Sequence, residues 1–239
     1  MTELGHPNRS ALVAALGGRS IVLVGMMGAG KTSVGRRLAA HLNLPFVDAD
    51  AEIEAGAQMS VPEIFERFGE PYFREGERKV LARLMTEGQK VLATGGGAFM
   101  NEATRRRIAQ SGVSIWLKPD FDVLMRRVRK RSNRPLLQTA NPEETLRRIL
   151  EERSPIYGLA DLTIETREGP HEFVVEAIVA ALGAHLANGA ARAEPAAREV
   201  HEVDVALGAR AYKILIGKGL IPGAGEHIAR LAPDRKSVV

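Results

Sequence analysis

The sequence of 239 residues contains no cysteine, and aromatic side chains make up only 5% of it. Without cysteine the chain can form neither a disulfide framework nor a thiolate metal site, as is typical of proteins in a reducing compartment. No segment is apolar enough to span a bilayer, and the amino terminus lacks the basic start and apolar core of a secretory signal. These absences argue against a membrane role and predict a cytoplasmic protein.

What the sequence does contain is typical of a globular protein, because 45% of its residues are hydrophobic and 26% are charged. A chain of this length and composition can bury at least one sizeable core. The formal net charge of +4 is modest. It is compatible with an acidic ligand such as a nucleotide or a phosphorylated metabolite.

Short apolar or β-branched segments alternate with helical patterns, which predicts an α/β fold with a parallel sheet. The predicted strands are Ser20–Val24, Leu44–Asp48, Val91–Thr94, Val113–Leu117 and Leu162–Glu165. The predicted helices are Lys31–Leu42, Val61–Phe68, Phe73–Met85, Glu102–Gln110, Phe121–Lys130, Pro142–Tyr157 and His171–Leu186. A segment rich in Ala, Gly and Pro at 187–199 is predicted to be a linker. The predicted organisation is a leader at 1–18, a main domain at 19–186 and, after the linker, a short β-rich extension at 200–239.

A glycine-rich loop follows the first predicted strand. Residues 25–32 fit the pattern GxxxxGK[ST] and lie between a strand and an amphipathic helix, as this motif requires. Glycines let successive backbone N–H groups point at phosphate oxygens, while Lys31 reaches the terminal phosphates and the Thr32 hydroxyl ligates Mg²⁺. The loop predicts nucleotide binding, but alone it does not distinguish a kinase from a GTPase, an ATPase or a regulatory nucleotide binder. Its predicted nucleotide-binding residues are Gly25, Met26, Met27, Gly28, Ala29, Gly30, Lys31, Thr32 and Ser33.

Two carboxylates, Asp48 and Asp50, end the second predicted strand. Their spacing places them on the same side of an extended segment. If one of them supports Mg²⁺, the other can hold an acceptor hydroxyl and take its proton during phosphoryl transfer. The alternative is that Asp50 caps the helix that begins near Ala51.

Two further patterns fit an acceptor site. Arg74 and Glu77 lie three residues apart on a predicted helix, where they can form a pair. Gly95, Gly96 and Gly97 follow a buried strand, at the carboxyl edge where ligands bind in open α/β sheets. Three glycines allow a ligand to approach the backbone closely. A flexible turn is the alternative; it is common for two glycines and explains three directly after a buried strand less well.

A strongly basic stretch runs from Arg126 to Arg134, with six basic residues in nine positions. It could be a nucleic-acid patch, a solvated helix face or a mobile arginine-rich lid that closes over phosphates. No aromatic residues are interleaved for base stacking, so the lid is favoured over nucleic-acid binding. Arg153, near the end of a predicted helix, carries little weight alone.

Taken in order, the motifs GMMGAGKTS, DADAEIE, FGEPYFREGE, TGGG, RPLL and RSPIY closely resemble those of the shikimate kinase family across about residues 19–185. The resemblance implies a P-loop fold like that of nucleoside-monophosphate kinases, with α/β/α layers around a parallel sheet. It also implies an arginine-rich lid at about 126–140. The implied reaction is phosphorylation of the 3-hydroxyl of shikimate, in the biosynthesis of chorismate and aromatic amino acids.

The resemblance implies that the glycine loop binds ATP together with Mg²⁺. Thr32 and Asp48 would serve the magnesium ion, while Lys31 would stabilise the charge of the transferring phosphate. Arg134 would be the lid arginine that reaches both the acceptor and this phosphate. The matches for the adenine contacts are Arg131, Arg167 and Pro170.

The implied acceptor is shikimate, and the implied kinase domain is monomeric. Asp50 would orient and deprotonate the reacting hydroxyl. Arg74 and Arg153 match the arginines that grip the carboxylate, where a planar guanidinium provides paired hydrogen bonds that lysine cannot. Glu77 would orient Arg74, and residues 95–97 would lie against the ring of shikimate.

The segment after the predicted linker, which contains VALGARAYKILIGKGLI and ends in KSVV, resembles the start of 3-dehydroquinate synthase. That family is NAD-dependent, and the resemblance covers only about residues 200–239. The dinucleotide-binding core and the metal-binding region would be missing, so synthase activity is not expected. An unrelated β-rich tail is the alternative.

Three alternatives to a shikimate kinase stay open on these residues. A related P-loop kinase could act on another small metabolite such as gluconate. A nucleotide-dependent regulatory module would keep the glycine loop without an acceptor pocket, although the guanine signature NKxD is absent. A nucleic-acid binder would show steeply salt-dependent association through its basic stretch.

Overall fold

The computed structural model describes residues 9–129, 141–192, 201–205 and 212–216. By its internal contacts the chain divides into two units, Met1–Ala187 and Asn188–Val239. The helices are α1 Arg9–Ala15, α2 Lys31–Leu42, α3 Ala49–Ala57, α4 Val61–Leu84, α5 Glu102–Ser111, α6 Phe121–Arg129, α7 Pro142–Tyr157 and α8 His171–Arg192, with a 3₁₀ turn at Ala98–Met100. The strands are β1 Ser20–Val24, β2 Phe46–Asp48, β3 Val91–Ala93, β4 Gly112–Pro119, β5 Leu162–Thr166, β6 His201–Val205 and β7 Tyr212–Ile216.

The first unit contains a five-stranded sheet in the order β2-β3-β1-β4-β5. All neighbouring strands in it are parallel. Parallel strands need crossover connections, which the intervening helices provide. All five residues of β1 are buried, because the strand lies at the centre of the sheet with helices on both faces.

The alternation of side chains along β1 assigns them to two hydrophobic cores. Ile21 and Leu23 pack in a cluster with residues of α1, α2 and α8. Val22 and Val24 pack on the opposite face with residues of α4, α5 and α7. Successive side chains of a strand point to opposite faces, so the strand forms the middle of three α/β/α layers.

Several predicted boundaries differ from those in the structure. The predicted leader contains α1, and Leu12 of this helix is buried in the first core together with Leu16, which follows the helix. The linker predicted at 187–199 is helical up to Arg192, because α8 continues through an alanine-rich stretch with high helix propensity. The two helices predicted at 61–85 both lie within α4, and a kink at Gly69, whose φ of 80° and ψ of 172° are not helical, separates them as predicted.

The second unit contains a two-stranded antiparallel pair, β6 with β7. Val205 pairs with Tyr212, and His201 pairs with Ile216. The resemblance of residues 200–239 to the start of 3-dehydroquinate synthase stays a prediction. Residues 193–199 of the predicted linker lie outside the described residues. In the described parts of the chain, no helix is long and apolar enough to cross a membrane.

Candidate active site

The glycine loop takes its shape from backbone that only glycine adopts readily. It connects the buried end of β1 to α2, and Gly25, Gly28 and Gly30 all have positive φ. A Cβ at Gly25 would lie 2.7 Å from the Leu117 carbonyl oxygen, so a larger residue does not fit. No described side chain caps the start of α2. Its first N–H groups and helix dipole therefore favour an anion.

Lys31 is the first residue of α2, and only 8% of it is exposed. Its Nζ donates hydrogen bonds to the carbonyl oxygens of Gly25 at 2.7 Å and Met26 at 3.0 Å. These bonds hold the ammonium group within the loop. The geometry is consistent with the role predicted for this lysine at the phosphates.

Thr32 and Asp48 meet beside the loop. Thr32 Oγ1 donates to Asp48 Oδ2 at 2.7 Å. A hydroxyl and a carboxylate are hard oxygen donors of the kind Mg²⁺ prefers, so the residues fit the ion that was predicted here. No described cluster of three or more His, Cys, Asp or Glu side chains could hold a metal. Mg²⁺ at this position would therefore also need oxygens from phosphate or water.

The local structure of Asp48 and Asp50 differs from the one predicted. They were expected on one side of an extended segment, but β2 ends at Asp48 and α3 begins at Ala49. Asp48 is the helix cap, since its Oδ1 accepts from the Asp50 N–H at 3.1 Å. The capping role considered for Asp50 is therefore wrong. The short strand is followed at once by a helix, which places both carboxylates at the same cavity.

Burial raises the pKa of Asp50 above its ordinary value of 3.8. The positive charge of Lys31 opposes this rise, and the negative charges of Asp48 and Glu54 add to it. Asp50 Oδ1 is buried and has no hydrogen-bond partner among the described residues. This oxygen is available to accept a proton from a ligand.

Arg74 is held by two glutamates on its own helix. Its Nη1 donates to Glu77 Oε2 at 2.9 Å, and its Nε and Nη2 donate to Glu70 Oε1 at 3.1 and 2.9 Å. Burial lowers the pKa of the Arg74 guanidinium, but the two glutamates outweigh this effect and raise it overall. The predicted pairing with Glu77 is therefore present in the structure, and Arg74 stays cationic.

The three glycines at 95–97 leave space that other side chains occupy. A Cβ at Gly95 would collide with the carboxylates of Glu77 and Asp50, and one at Gly97 would collide with the guanidinium of Arg74. A Cβ at Gly96 would lie 3.1 Å from the Met27 N–H nitrogen of the glycine loop. The nucleotide side and the acceptor side therefore come together at this turn.

Arg153 reaches the same turn from α7. Its Nη1 donates to the Gly96 carbonyl oxygen at 3.3 Å. The hydroxyl of Tyr157 donates to the same oxygen. Tyr157 is fully buried, and its ring stacks on Trp116 with 5.8 Å between centroids.

One cavity of about 870 Å³ joins these groups. Its lining includes residues of the glycine loop together with Asp48, Asp50, Arg74, Glu77, residues 95–97 and Arg153. A phosphate donor and a small hydroxy acid could therefore occupy it side by side.

Comparison with known proteins identifies the family. Residues 27–183 match the family model described as shikimate kinase. The chain belongs to the shikimate kinase family. A shikimate kinase from Bradyrhizobium diazoefficiens is 62% identical over 185 residues, which cover 77% of this chain and 89% of that protein. One from Rhodopseudomonas palustris is 56% identical over 180 residues, which cover 75% of this chain and 89% of that protein.

A solved structure, that of shikimate kinase from Acinetobacter baumannii in complex with shikimate, is 40% identical to the chain. The match has a TM-score of 0.69 and covers 72% of this chain and 97% of that chain. The predicted shikimate kinase family and the predicted fold class are therefore confirmed.

Two of the four residues that the shikimate kinase motifs predict at the lid and at the adenine are among the described residues. Arg131 and Arg134 lie outside the described residues, as does most of the lid predicted at 126–140. Arg167 and Pro170 are exposed and do not line the cavity. Their assignment to adenine stays a prediction.

Several residues of this shikimate kinase site were missed in the sequence, among them Arg127, His171 and Tyr157. Arg127 and His171 line the cavity, and Arg127 Nη1 donates to the Ala29 carbonyl oxygen at 3.4 Å. Tyr157 supports the turn at Gly96. Arg127 could have been singled out within the basic stretch, but no sequence signal distinguishes His171 or Tyr157.

Proposed function

We propose that this chain transfers the γ-phosphoryl group of ATP, with Mg²⁺, to the 3-hydroxyl of shikimate, which gives shikimate 3-phosphate. The observation that carries the proposal is the single cavity that joins a phosphate-binding loop to two arginines and a buried carboxylate. Phosphoryl transfer depends mainly on positioning and charge stabilisation. A cavity that holds donor and acceptor together provides both.

On the donor side, the backbone N–H groups of the glycine loop and the start of α2 bind the phosphates. Lys31 lies within this loop and places a positive charge beside them. Thr32 and Asp48 would hold Mg²⁺, which when bound neutralises phosphate charge. Arg127 and His171 line the cavity near the loop, where they can contact the nucleotide.

On the acceptor side, Arg74 and Arg153 bind the carboxylate of shikimate. Glu77 holds Arg74 through Nη1, and Gly96 holds Arg153 through its carbonyl oxygen. Two fixed guanidinium groups give a bound carboxylate one orientation. The reacting hydroxyl is then directed towards Asp50.

Asp50 acts as the base that takes the proton of the reacting hydroxyl. Its burial raises its pKa, which makes its carboxylate a stronger base than an exposed aspartate. Arg134, from the lid, stays a proposed contact to the transferring phosphate. Arg131, Arg167 and Pro170 stay proposed contacts to adenine.

The remaining functional predictions concern the whole chain. We infer a cytoplasmic enzyme whose kinase domain is monomeric and binds neither membranes nor nucleic acid. The resemblance of residues 200–239 to the start of 3-dehydroquinate synthase stays a prediction.

Shikimate-dependent ADP formation by the purified chain, with and without Mg²⁺, tests this function. We expect turnover that requires both shikimate and Mg²⁺. Preference for gluconate would indicate another metabolite kinase, and turnover that no hydroxy acid affects would indicate a regulatory nucleotide binder. Tight association with nucleic acid that weakens steeply with salt would favour the third alternative.

A further inference from the structure

Basic side chains from three helices meet at the start of α8, beside the glycine loop. His171 is the first residue of α8, and it lines the cavity together with Arg127 of α6. Arg127 Nη1 donates to the Ala29 carbonyl oxygen at 3.4 Å, and a Cβ at Gly30 would lie 3.5 Å from the same nitrogen. The histidine therefore shares its side of the cavity with an arginine that contacts the glycine loop.

Arg37 provides a second arginine, from α2. Its Nη1 donates to the carbonyl oxygen of Ser33 at 3.1 Å, and Ser33 belongs to the lining of the cavity. Its Nε lies 3.2 Å from Glu172 Oε1. Because Glu172 follows His171 directly, this ion pair joins the glycine-loop helix to the start of α8.

The charges around His171 disfavour its protonation in the protein without nucleotide. The charged groups that face it are Arg37 from α2, Arg127 from α6 and Glu172 from α8. Burial lowers the pKa of His171 below its ordinary value of 6.5, and the two arginines lower it further. The glutamate acts in the opposite direction without reversing the result. The positive end of the α8 dipole also disfavours a cation at this position.

A bound polyphosphate changes this balance of charge. Its oxygens carry negative charge that offsets the two arginines, and a negative charge within about 4–6 Å favours the protonated form of a histidine. A neutral imidazole has one N–H donor, whereas an imidazolium has two and is cationic. A charged donor forms a stronger hydrogen bond to a phosphate oxygen than a neutral one does.

We propose that His171 takes up a proton when the nucleotide binds, and that the imidazolium donates a hydrogen bond to a phosphate oxygen. The proton comes from the solvent and returns to it when the nucleotide leaves, so no covalent bond of the nucleotide changes. The inference rests on the proposed function, to which it adds a proton-linked contact.

The proposal fixes the sign of the pH dependence. The complex binds more protons than the free protein and the free nucleotide together, because the pKa of His171 is higher in the complex. The affinity for the nucleotide therefore rises as the pH falls through the range between the two pKa values. The effect fades above that range, where the histidine is neutral in both states.

Calorimetric titration of the purified chain with the non-hydrolysable ATP analogue AMP-PNP and Mg²⁺ tests the proposal. The heat of binding is measured at pH 6.5 in PIPES and in bis-Tris, two buffers with different enthalpies of ionisation, which gives the number of protons taken up. We expect the wild type to take up about 0.3–0.5 proton more per nucleotide than His171→Gln. The amide of this variant can still donate a hydrogen bond, but it does not titrate.

His41→Gln is the matched control, because His41 lies exposed near the end of α2 and does not line the cavity. It should take up as many protons as the wild type. Equal uptake by wild type and His171→Gln would overturn the inference, and a neutral His171 that only touches the nucleotide gives that result. If the wild type does not bind the analogue at all, the proposed function itself fails.

Two further measurements bear on the same claim. Between pH 8 and pH 6, the Kd of the wild type should fall by about two- to fivefold more than the Kd of His171→Gln; parallel pH profiles would contradict the proposal. NMR titration of the histidine rings needs only the wild-type chain. The ring of His171 should titrate at a higher pH with the analogue bound than without it, and an unchanged or lower titration point would refute the inference.

Discussion

The hydroxyl of Tyr157 supports the turn between the two halves of the cavity, so its removal should be measurable in both stability and acceptor binding. Tyr157 is fully buried, and its hydroxyl donates to the Gly96 carbonyl oxygen. The substitution Tyr157→Phe removes this donor but keeps the ring that stacks on Trp116. Among the described residues, Arg153 is then the remaining donor to this carbonyl, at 3.3 Å.

The loss of one buried hydrogen bond of this kind lowers the free energy of unfolding by about 1–2 kcal/mol. For a domain of this size, each kcal/mol lowers the Tm by about 2–4 °C. The KM for shikimate should rise several-fold because Arg153 loses a fixed anchor, while kcat changes less. Thermal unfolding and steady-state kinetics with varied shikimate measure these effects.

Tyr72→Phe is the matched control, because Tyr72 is 58% exposed and the substitution removes the same hydroxyl at the surface. We expect this variant to have the Tm and KM of the wild type. If Tyr157→Phe behaves like Tyr72→Phe in both measurements, the hydroxyl of Tyr157 does not hold the turn and the reasoning is refuted.

Three further predictions concern the residues that face the acceptor. Asp50→Asn should lower kcat by at least about 100-fold with little change in ATP affinity, because it removes the base and keeps the shape; a normal kcat would remove Asp50 from this role. The same variant should unfold at higher urea concentration than the wild type. Because the pKa of Asp50 is raised in the folded state, ionisation of its carboxyl group opposes folding. The difference in urea midpoint between Asp50→Asn and the wild type should therefore grow as the pH rises from about 4 to 7. A difference that does not depend on pH would contradict this. Arg153→Lys should raise the KM for shikimate by about tenfold, because the paired contact with the carboxylate is lost. Arg148→Lys, at an exposed position on the same helix, should leave this KM unchanged. Equal KM values in the two variants would refute the role of Arg153 in binding the carboxylate.

The parts of the site that follow from local sequence were predictable. The glycine loop was assigned in full because its motif, its strand and its helix are contiguous in the chain. The pair of Arg74 and Glu77 follows from helical spacing alone and is present at 2.9 Å. The helix at Lys31–Leu42 has the predicted bounds for the same reason.

The parts that depend on distant contacts were not predictable. Tyr157 lies 61 residues from the carbonyl it binds, and Arg127 lies 98 residues from the Ala29 carbonyl it contacts. Asp48 was assigned to a strand face, but the chain turns into α3 directly after it. The burial of Leu12 and Leu16 in the first core depends on packing that short sequence windows do not specify.

We infer that the glycine loop delivers a phosphoryl group to a hydroxy acid held in the same cavity. The most direct test is ³¹P NMR of the products formed from ATP, Mg²⁺ and shikimate by the purified chain. We predict a phosphate monoester of shikimate formed in equal amount to ADP. Inorganic phosphate as the sole new product besides ADP would contradict the claim, because the acceptor would then not occupy the cavity.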